Sequence, residues 1–164
     1  MDNARRIAQR GGAILCLAVV TLAVAILLQH EVAAKDSTAD PWRPGDVITP
    51  KQLADSLHTA HKPVVACVGF DFLFSGGHVP GAWYRGPASQ AKGLKNLKAW
   101  AAGLDRKRDV VIYCGCCPWK DCPNIRPAFA ALKAMGFTHL KVVEIAKDFP
   151  TNWTAQGLPT EKGS

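Results

Sequence analysis

Hydrophobic residues along this chain fall into two kinds of pattern. Short continuous runs, mostly of β-branched residues, occur at 64–68 and Val110–Tyr113. A similar run at 140–145 is interrupted by Lys141 and Glu144, and a briefer extended piece occurs at 82–84. Continuous apolar runs of this length are typical of strands that are buried on both faces of a parallel sheet. The pattern therefore predicts a strand at each of these places.

Between the runs, apolar residues recur with the spacing of an amphipathic helix. Four segments are predicted to be helical: 50–59, 94–103, 125–135 and 149–156. Thr49 and Pro50 are typical of a helix start, Gly136 is typical of a helix end, and 69–81 is predicted to be a loop. Strands alternating with helices predict an α/β fold, namely a three-layer sandwich with a central, mostly parallel sheet of about five strands flanked by helices.

The N-terminal segment differs in composition from the rest. Arginines precede an uncharged apolar run at 13–28, and small residues follow it at 32–34, which is the order found in a secretory signal. Because a membrane-spanning helix needs about 20 residues, a cleaved signal is favoured, and an uncleaved anchor in the inner membrane is the alternative. We expect 1–34 to be a signal peptide or N-terminal anchor, 35–45 a linker, and 46–164 a folded domain that is periplasmic or secreted.

The charge of the chain narrows the class of partner. Lys and Arg number 20 against 13 Asp and Glu, which gives a formal net charge of +7. The positive residues are scattered, and no base-stacking motif accompanies them. This pattern indicates a general attraction for small anions and predicts no nucleic-acid partner. A membrane is expected as a partner only if the N-terminal segment stays uncleaved.

Cysteines are the most informative residues of the predicted domain. Five follow residue 34, and four of these lie within nine positions: Cys114, Cys116, Cys117 and Cys122. An odd number leaves at least one thiol unpaired in an exported protein. Short disulfide rings within one loop would stabilise the fold little, so the clustering favours chemistry over scaffolding. The fifth, Cys67, lies in a predicted buried strand and is interpreted as an inert core thiol.

Cys114 directly follows the predicted strand Val110–Tyr113 and precedes a predicted helix. In parallel α/β sheets, ligands bind beyond the carboxyl ends of the strands. Backbone amides and the positive end of a helix dipole stabilise a thiolate and so lower its pKa. We therefore expect Cys114 to be an accessible thiolate nucleophile, with the amides of 115–120 forming a cradle for an anion.

Four motifs in chain order resemble the rhodanese-like domain of single-domain sulfurtransferases, here with an elongated Cys-rich active-site loop. They are GHVPGA at 77–82, VIYC at 111–114, the helix end with its glycine at 132–137, and the Trp-x-x-x-Gly-Leu-Pro pattern at 153–159. The resemblance implies the fold already predicted, and it assigns 46–164 to one such domain. It also implies an enzyme that moves sulfane sulfur through a cysteine persulfide without a cofactor.

Carried over by position, the resemblance implies that Cys114 forms the persulfide. The donor would be a small anion such as thiosulfate or polysulfide, and the acceptor a thiol or cyanide. The loop residues after Cys114 would bind the donor: Gly115, Cys116, Cys117, Pro118, Trp119 and Lys120. Cys117 or Cys122 is a candidate resolving thiol that attacks the persulfide, releases sulfide and leaves a disulfide.

Three polar residues near the motifs receive structural interpretations. His78, in the Gly-His-x-Pro-Gly context, is expected to hold its loop by hydrogen bonding rather than to act as a base. Asn124 is expected to cap the helix that follows the cysteine loop. Arg126 is a weaker candidate for assisting an anion.

Alternative interpretations of the cysteine loop remain open at this stage. Cys114, Cys116, Cys117 and Cys122 are compatible with a zinc or copper(I) site. The C-x-x-C spacing of Cys114 and Cys117 is compatible with thiol–disulfide exchange. A phosphatase is the weakest reading, because Lys120 stands where a phosphate-gripping arginine is needed. A non-catalytic rhodanese-like interaction module is the last alternative.

Overall fold

The computed structural model describes residues 40–163. The predicted signal or anchor at 1–34 and the first part of the predicted linker lie outside these residues. Among residues 40–163, no helix combines the length and the apolar character that crossing a bilayer requires.

A five-stranded parallel sheet forms the centre of the domain. The strands are β1 (Val47–Ile48), β2 (Val64–Cys67), β3 (Trp83–Tyr84), β4 (Val110–Tyr113) and β5 (Leu140–Val143). Their order across the sheet is β1-β5-β4-β2-β3, and every pairing is parallel. On β4, the central strand, Ile112 lies opposite both Ala66 and Val142. The sheet confirms the predicted α/β class and strand number. The strand β1 was not predicted individually, because two residues are too few to show a strand pattern in the sequence.

Residues 40–163 contain five α-helices, of which four connect consecutive strands and the fifth follows β5. They are α1 (Pro50–Ser56), α2 (Asp71–Gly76), α3 (Ala91–Ala102), α4 (Ile125–Ala134) and α5 (Phe149–Asn152). Thr49 caps α1 as predicted, since its side chain accepts a hydrogen bond from the Gln52 amide. The prediction that 69–81 is a loop is wrong, because α2 lies within it. At six residues, α2 is too short to give a recognisable helical period.

The side chains of β4 alternate between the two faces of the sheet, and each face has its own core. Val110 and Ile112 pack with Phe129 on the side of α3 and α4. Val111 and Tyr113 pack on the opposite side, in the core to which α1, α2 and α5 contribute. This arrangement confirms the predicted three-layer sandwich, and the alternation puts Cys114 on the face covered by α4.

Phe129 provides a test of the α4-side core. Its side chain is fully buried, whereas Phe72 is 71% exposed. We expect Phe129→Ala to lower the free energy of unfolding by about 3–5 kcal/mol because it leaves a cavity. Phe72→Ala, which removes the same atoms at the surface, should change it by less than about 0.5 kcal/mol. Urea denaturation measures both, and equal losses would contradict the assignment of the core.

Candidate functional site

The sharp turn after β4 sets the position of the cysteine loop. Gly115 has a φ of +73°, and a Cβ there would lie 2.8 Å from the Cβ of Phe149. The Gly115 carbonyl also accepts a hydrogen bond from the Phe149 amide at 3.0 Å. Only glycine tolerates both the positive φ and the close approach of Phe149 without strain. Gly115 therefore turns the chain immediately after Cys114. The Cys114 sulfur is left beside Gly69, where an added Cβ would lie 3.3 Å from it.

The rest of the loop folds back towards this sulfur. A 3₁₀ turn at Trp119–Asp121 reverses the chain, so that Cys122 returns to the core beside Cys114. The Arg126 guanidinium donates to the carbonyl oxygens of Trp119 and Cys122, each at 3.4 Å. The backbone amide of Trp119 donates to the Ala146 carbonyl at 3.2 Å. The loop is therefore anchored at both its turn and its end.

Residues at the start of the described chain also contact the loop. The Trp42 ring lies 4.8 Å from the Trp119 ring, centroid to centroid, and Asp40 pairs with Arg126 at 2.8 Å. The guanidinium of Arg126 also lies over the Trp42 ring. Trp119 is thus a packing residue, and Arg126 binds a carboxylate and two carbonyls of the protein itself. Pro118 and Lys120 are exposed on the outer side of the loop.

Three sulfur atoms of the loop converge. Cys114 Sγ lies 3.1 Å from Cys116 Sγ, and the sulfurs of Cys114, Cys116 and Cys122 all lie within 4.8 Å of one another. Cys117 is at the edge of this group, with its sulfur 3.1 Å from that of Cys116. All four are free thiols. The structure therefore brings together the four cysteines that the sequence singled out. Three of their sulfurs converge, and the fourth, that of Cys117, lies beside them.

Asn124 is a site residue that the sequence analysis misassigned. Its side chain makes no cap hydrogen bond to α4, so the capping prediction is wrong. Instead the fully buried side chain accepts a hydrogen bond from the Ser89 amide at 2.9 Å through Oδ1. This bond orients Nδ2, which donates to the sulfurs of Cys114 and Cys116, each at 3.5 Å. An Asn before a helix is also the usual signal of a cap, so the sequence alone does not separate the two roles.

The electrostatics of the sulfurs differ from the sequence-based expectation. Hydrogen bonds from Cys114 to Cys116 and Cys122, together with burial, raise the pKa of Cys114 above its usual range. Hydrogen bonds donated by Cys114 and Cys122 lower the pKa of Cys116 well below its usual value. Cys114 is only 7% exposed whereas Cys116 is half-buried, and the two pKa directions favour a thiolate on Cys116 over one on Cys114. The expectation of an accessible Cys114 thiolate is therefore wrong for the resting state.

The predicted cradle of backbone amides at 115–120 is incomplete in the structure. Pro118 has no N–H, and the Trp119 amide is engaged with Ala146, so two positions of 115–120 have no amide to offer to an anion. The donors that reach the sulfurs come from the end of the loop instead. They are the Asn124 side chain and the backbone amides of Asn124 and Ile125, which face Cys122.

Cys67 lies on the other face of the sheet from the sulfur group. Its side chain is 3% exposed and packs in the α1-side core. Burial raises the pKa of Cys67 to about 12. Its thiol donates to the backbone oxygen of Cys114, at 3.9 Å. These features agree with the interpretation of Cys67 as a core thiol.

His78 joins α2 to the C-terminal segment. Its Nδ1 donates to the Phe74 carbonyl at 2.8 Å, and its ring stacks on the Phe74 ring at 3.8 Å between centroids. Its backbone pairs with that of Glu161 in an antiparallel bridge. These contacts agree with the structural role predicted for His78.

Comparison with solved structures identifies the fold. The Alr3790 protein from Anabaena sp. is 20% identical, with a TM-score of 0.55 over 71% of this chain and 92% of its own. A solution structure of the rhodanese-like domain from that protein is 22% identical, with a TM-score of 0.52 over 71% of this chain and 79% of its own. The chain has the rhodanese-like fold. This confirms the fold that the four sequence motifs predict.

A thiosulfate sulfurtransferase from Pseudomonas aeruginosa has the same fold in one part of its chain. It is 24% identical, with a TM-score of 0.52 over 72% of this chain and 19% of its own. No family model matches the chain, and no curated protein matches it. The rhodanese-like assignment therefore stands on three-dimensional similarity together with the sequence motifs.

The reactivity of the thiols provides a test of the site. At pH 8, a thiol with a pKa of about 12 is ionised in only about one molecule in ten thousand. We expect iodoacetamide to modify the half-buried Cys116, whose pKa is lowered, long before Cys67 in the folded, reduced protein, as mapped by peptide mass spectrometry. In urea, all the cysteines should react at similar rates. Modification of Cys67 as early as Cys116 in the folded protein would contradict the structure.

Proposed function

We propose that this protein is a sulfurtransferase that moves sulfane sulfur from a small anionic donor, such as thiosulfate or polysulfide, through a persulfide on Cys114. The observation that carries the proposal is the place of Cys114 in a rhodanese-like fold. It directly follows the central strand β4, at the sheet edge where such folds bind ligands, and its sulfur is a free thiol within a group of thiols.

The first half of the reaction consumes the donor. The sulfurs of Cys114 and Cys116 lie 3.1 Å apart and share one proton, and Cys114 attacks as the thiolate when that proton lies on Cys116. Cys114 attacks the outer sulfur of thiosulfate. A new S–S bond forms to Cys114, the S–S bond within thiosulfate breaks, and sulfite leaves with the bonding electron pair. The Asn124 side chain, which already donates to the Cys114 sulfur, stabilises the negative charge on the persulfide.

The second half passes the sulfur on. A thiolate or cyanide attacks the outer sulfur of the persulfide, and Cys114 leaves as the thiolate. The products are an acceptor persulfide or thiocyanate, and Cys114 and Cys116 again share one proton, as in the starting state. The donor and acceptor approach from the outer side of the loop, where Cys116 and Cys117 are half-buried and Lys120 is exposed. The positive charge of Lys120 favours an anionic donor there.

The predicted resolving step has two candidates, and their positions differ. Cys122 lies within 4.8 Å of Cys114, whereas the sulfur of Cys117 contacts that of Cys116. Attack by Cys122 on the inner sulfur of a Cys114 persulfide would form a Cys114–Cys122 disulfide and release hydrogen sulfide. A thiol reductant would then be needed for another turnover. The distances favour Cys122 over Cys117 for this role.

Export of the protein is part of the proposal and rests on residues 1–34. Their order of basic, apolar and small residues supports a signal peptide. We expect the protein in a periplasmic extract to begin near residue 35, as measured by intact mass. A full-length chain found with the inner membrane would support the anchor instead, and a full-length chain found in the cytoplasm would contradict export.

Replacing the nucleophile provides the test of activity. Cys114→Ser should lower thiosulfate:cyanide and polysulfide turnover by at least about 100-fold, because the hydroxyl forms no persulfide. Cys67→Ser is the matched control: it replaces another buried cysteine of the sheet, on the opposite face, and should retain turnover. Mass spectrometry after donor treatment should find one added sulfur atom on Cys114.

Two results would contradict the proposal. Full turnover by Cys114→Ser would move the nucleophile to another thiol, with Cys116 the first candidate because its lowered pKa favours a thiolate. Absence of both turnover and persulfide in the wild-type protein, with every donor tried, would favour the non-catalytic module.

A further inference from the structure

We propose that Cys114, Cys116 and Cys122 also form a three-sulfur binding site for copper(I), a function separate from sulfur transfer. The observation behind it is the convergence of these three sulfurs, all within 4.8 Å of one another, in a part of the protein where two of the three residues are buried. Closely grouped sulfur ligands are the donor set that soft metal ions prefer.

The backbone holds the three sulfurs in place before any ion arrives. Gly115, with its positive φ, separates Cys114 from Cys116 and lets both sulfurs face the same space. The 3₁₀ turn at Trp119–Asp121 returns Cys122, and Arg126 binds its carbonyl. Since little of the loop must be ordered on binding, a metal ion would lose little affinity to conformational entropy.

The surroundings of the sulfurs suit an anionic metal–thiolate complex. The Nδ2 of Asn124 donates to two of the sulfurs, and the Ser89 amide fixes the orientation of this side chain. The backbone amides of Asn124 and Ile125 face the third sulfur, that of Cys122. Hydrogen bonds from N–H groups to ligating sulfurs orient the ligands and offset their negative charge.

The number of converging ligands selects the metal. The sulfur of Cys117 contacts Cys116 but does not belong to the group of three, and no His or carboxylate of residues 40–163 joins that group. Structural zinc sites take four protein ligands. Copper(I), which is softer and has no need of a fourth ligand, binds three thiolates in a trigonal arrangement. Binding releases the thiol protons and leaves the ion as copper(I), so the reaction needs no oxidant.

A competition titration provides the test. The full chain, reduced and kept without oxygen, is titrated with copper(I) against the chromogenic chelator bathocuproine disulfonate. We expect one copper(I) per chain. Cys116→Ser should weaken the affinity at least about 100-fold, and Cys122→Ser should do the same. Cys116 is half-buried, so its variant keeps the test valid if the buried Cys122→Ser variant fails to fold, as checked by circular dichroism.

Two control variants separate this site from other thiol binding. Cys117→Ser removes the thiol at the edge of the group, and Cys67→Ser removes the thiol on the other face of the sheet. Both should keep the copper(I) affinity of the wild type within a few-fold. Because the readout is metal transfer to a chelator, the result does not depend on whether the protein moves sulfur.

Three outcomes would overturn the proposal. The first is wild-type affinity in Cys116→Ser or in a folded Cys122→Ser. The second is an equal loss in Cys117→Ser, which would indicate a four-sulfur site. The third is tighter binding of zinc than of copper(I), measured in a parallel competition with a zinc chelator.

Discussion

The loop after β4 depends on one buried carboxamide, that of Asn124. Its oxygen accepts from the Ser89 amide, in the segment before α3, and its nitrogen faces the sulfurs of Cys114 and Cys116. A buried polar group left without partners costs about 1–3 kcal/mol, so the side chain is stable only when all of these elements are assembled. The sulfur group is therefore a consequence of tertiary structure and not of the cysteine spacing alone.

Much of the fold follows from the sequence because its central elements are long and continuous. β2 and β4 are apolar runs, β5 is apolar except for Lys141, and α3 and α4 carry enough turns for a helical period to be recognised. The short elements could not be predicted from the sequence in this way. β1 has only two residues, and α2 is held by tertiary contacts, among them the hydrogen bond from the Gly163 amide to the Ser75 carbonyl at 3.0 Å. The local pattern of hydrophobic residues does not reveal contacts of that kind.

The site was predictable in its location but not in its chemistry. Cys114 at the end of a central strand, and the crowding of thiols behind it, can both be read from the chain. Which thiol holds the negative charge depends on burial and on sulfur–sulfur distances, and these favour Cys116. The anion donors also differ from expectation, because Pro118 lacks an N–H and the Trp119 amide is engaged elsewhere. Spacing alone does not encode either fact.

The two proposed uses of the loop exclude each other in space. The Cys114 sulfur already lies 3.1 Å from that of Cys116 and packs against Gly69. A sulfane sulfur on Cys114 would therefore occupy the volume between the converging sulfurs that a metal ion needs. Both uses depend on the same device, a loop long enough to return Cys122 to the strand end where Cys114 lies. A shorter loop would retain a nucleophile there but lose the third sulfur, so the added length is the feature that separates metal binding from sulfur transfer.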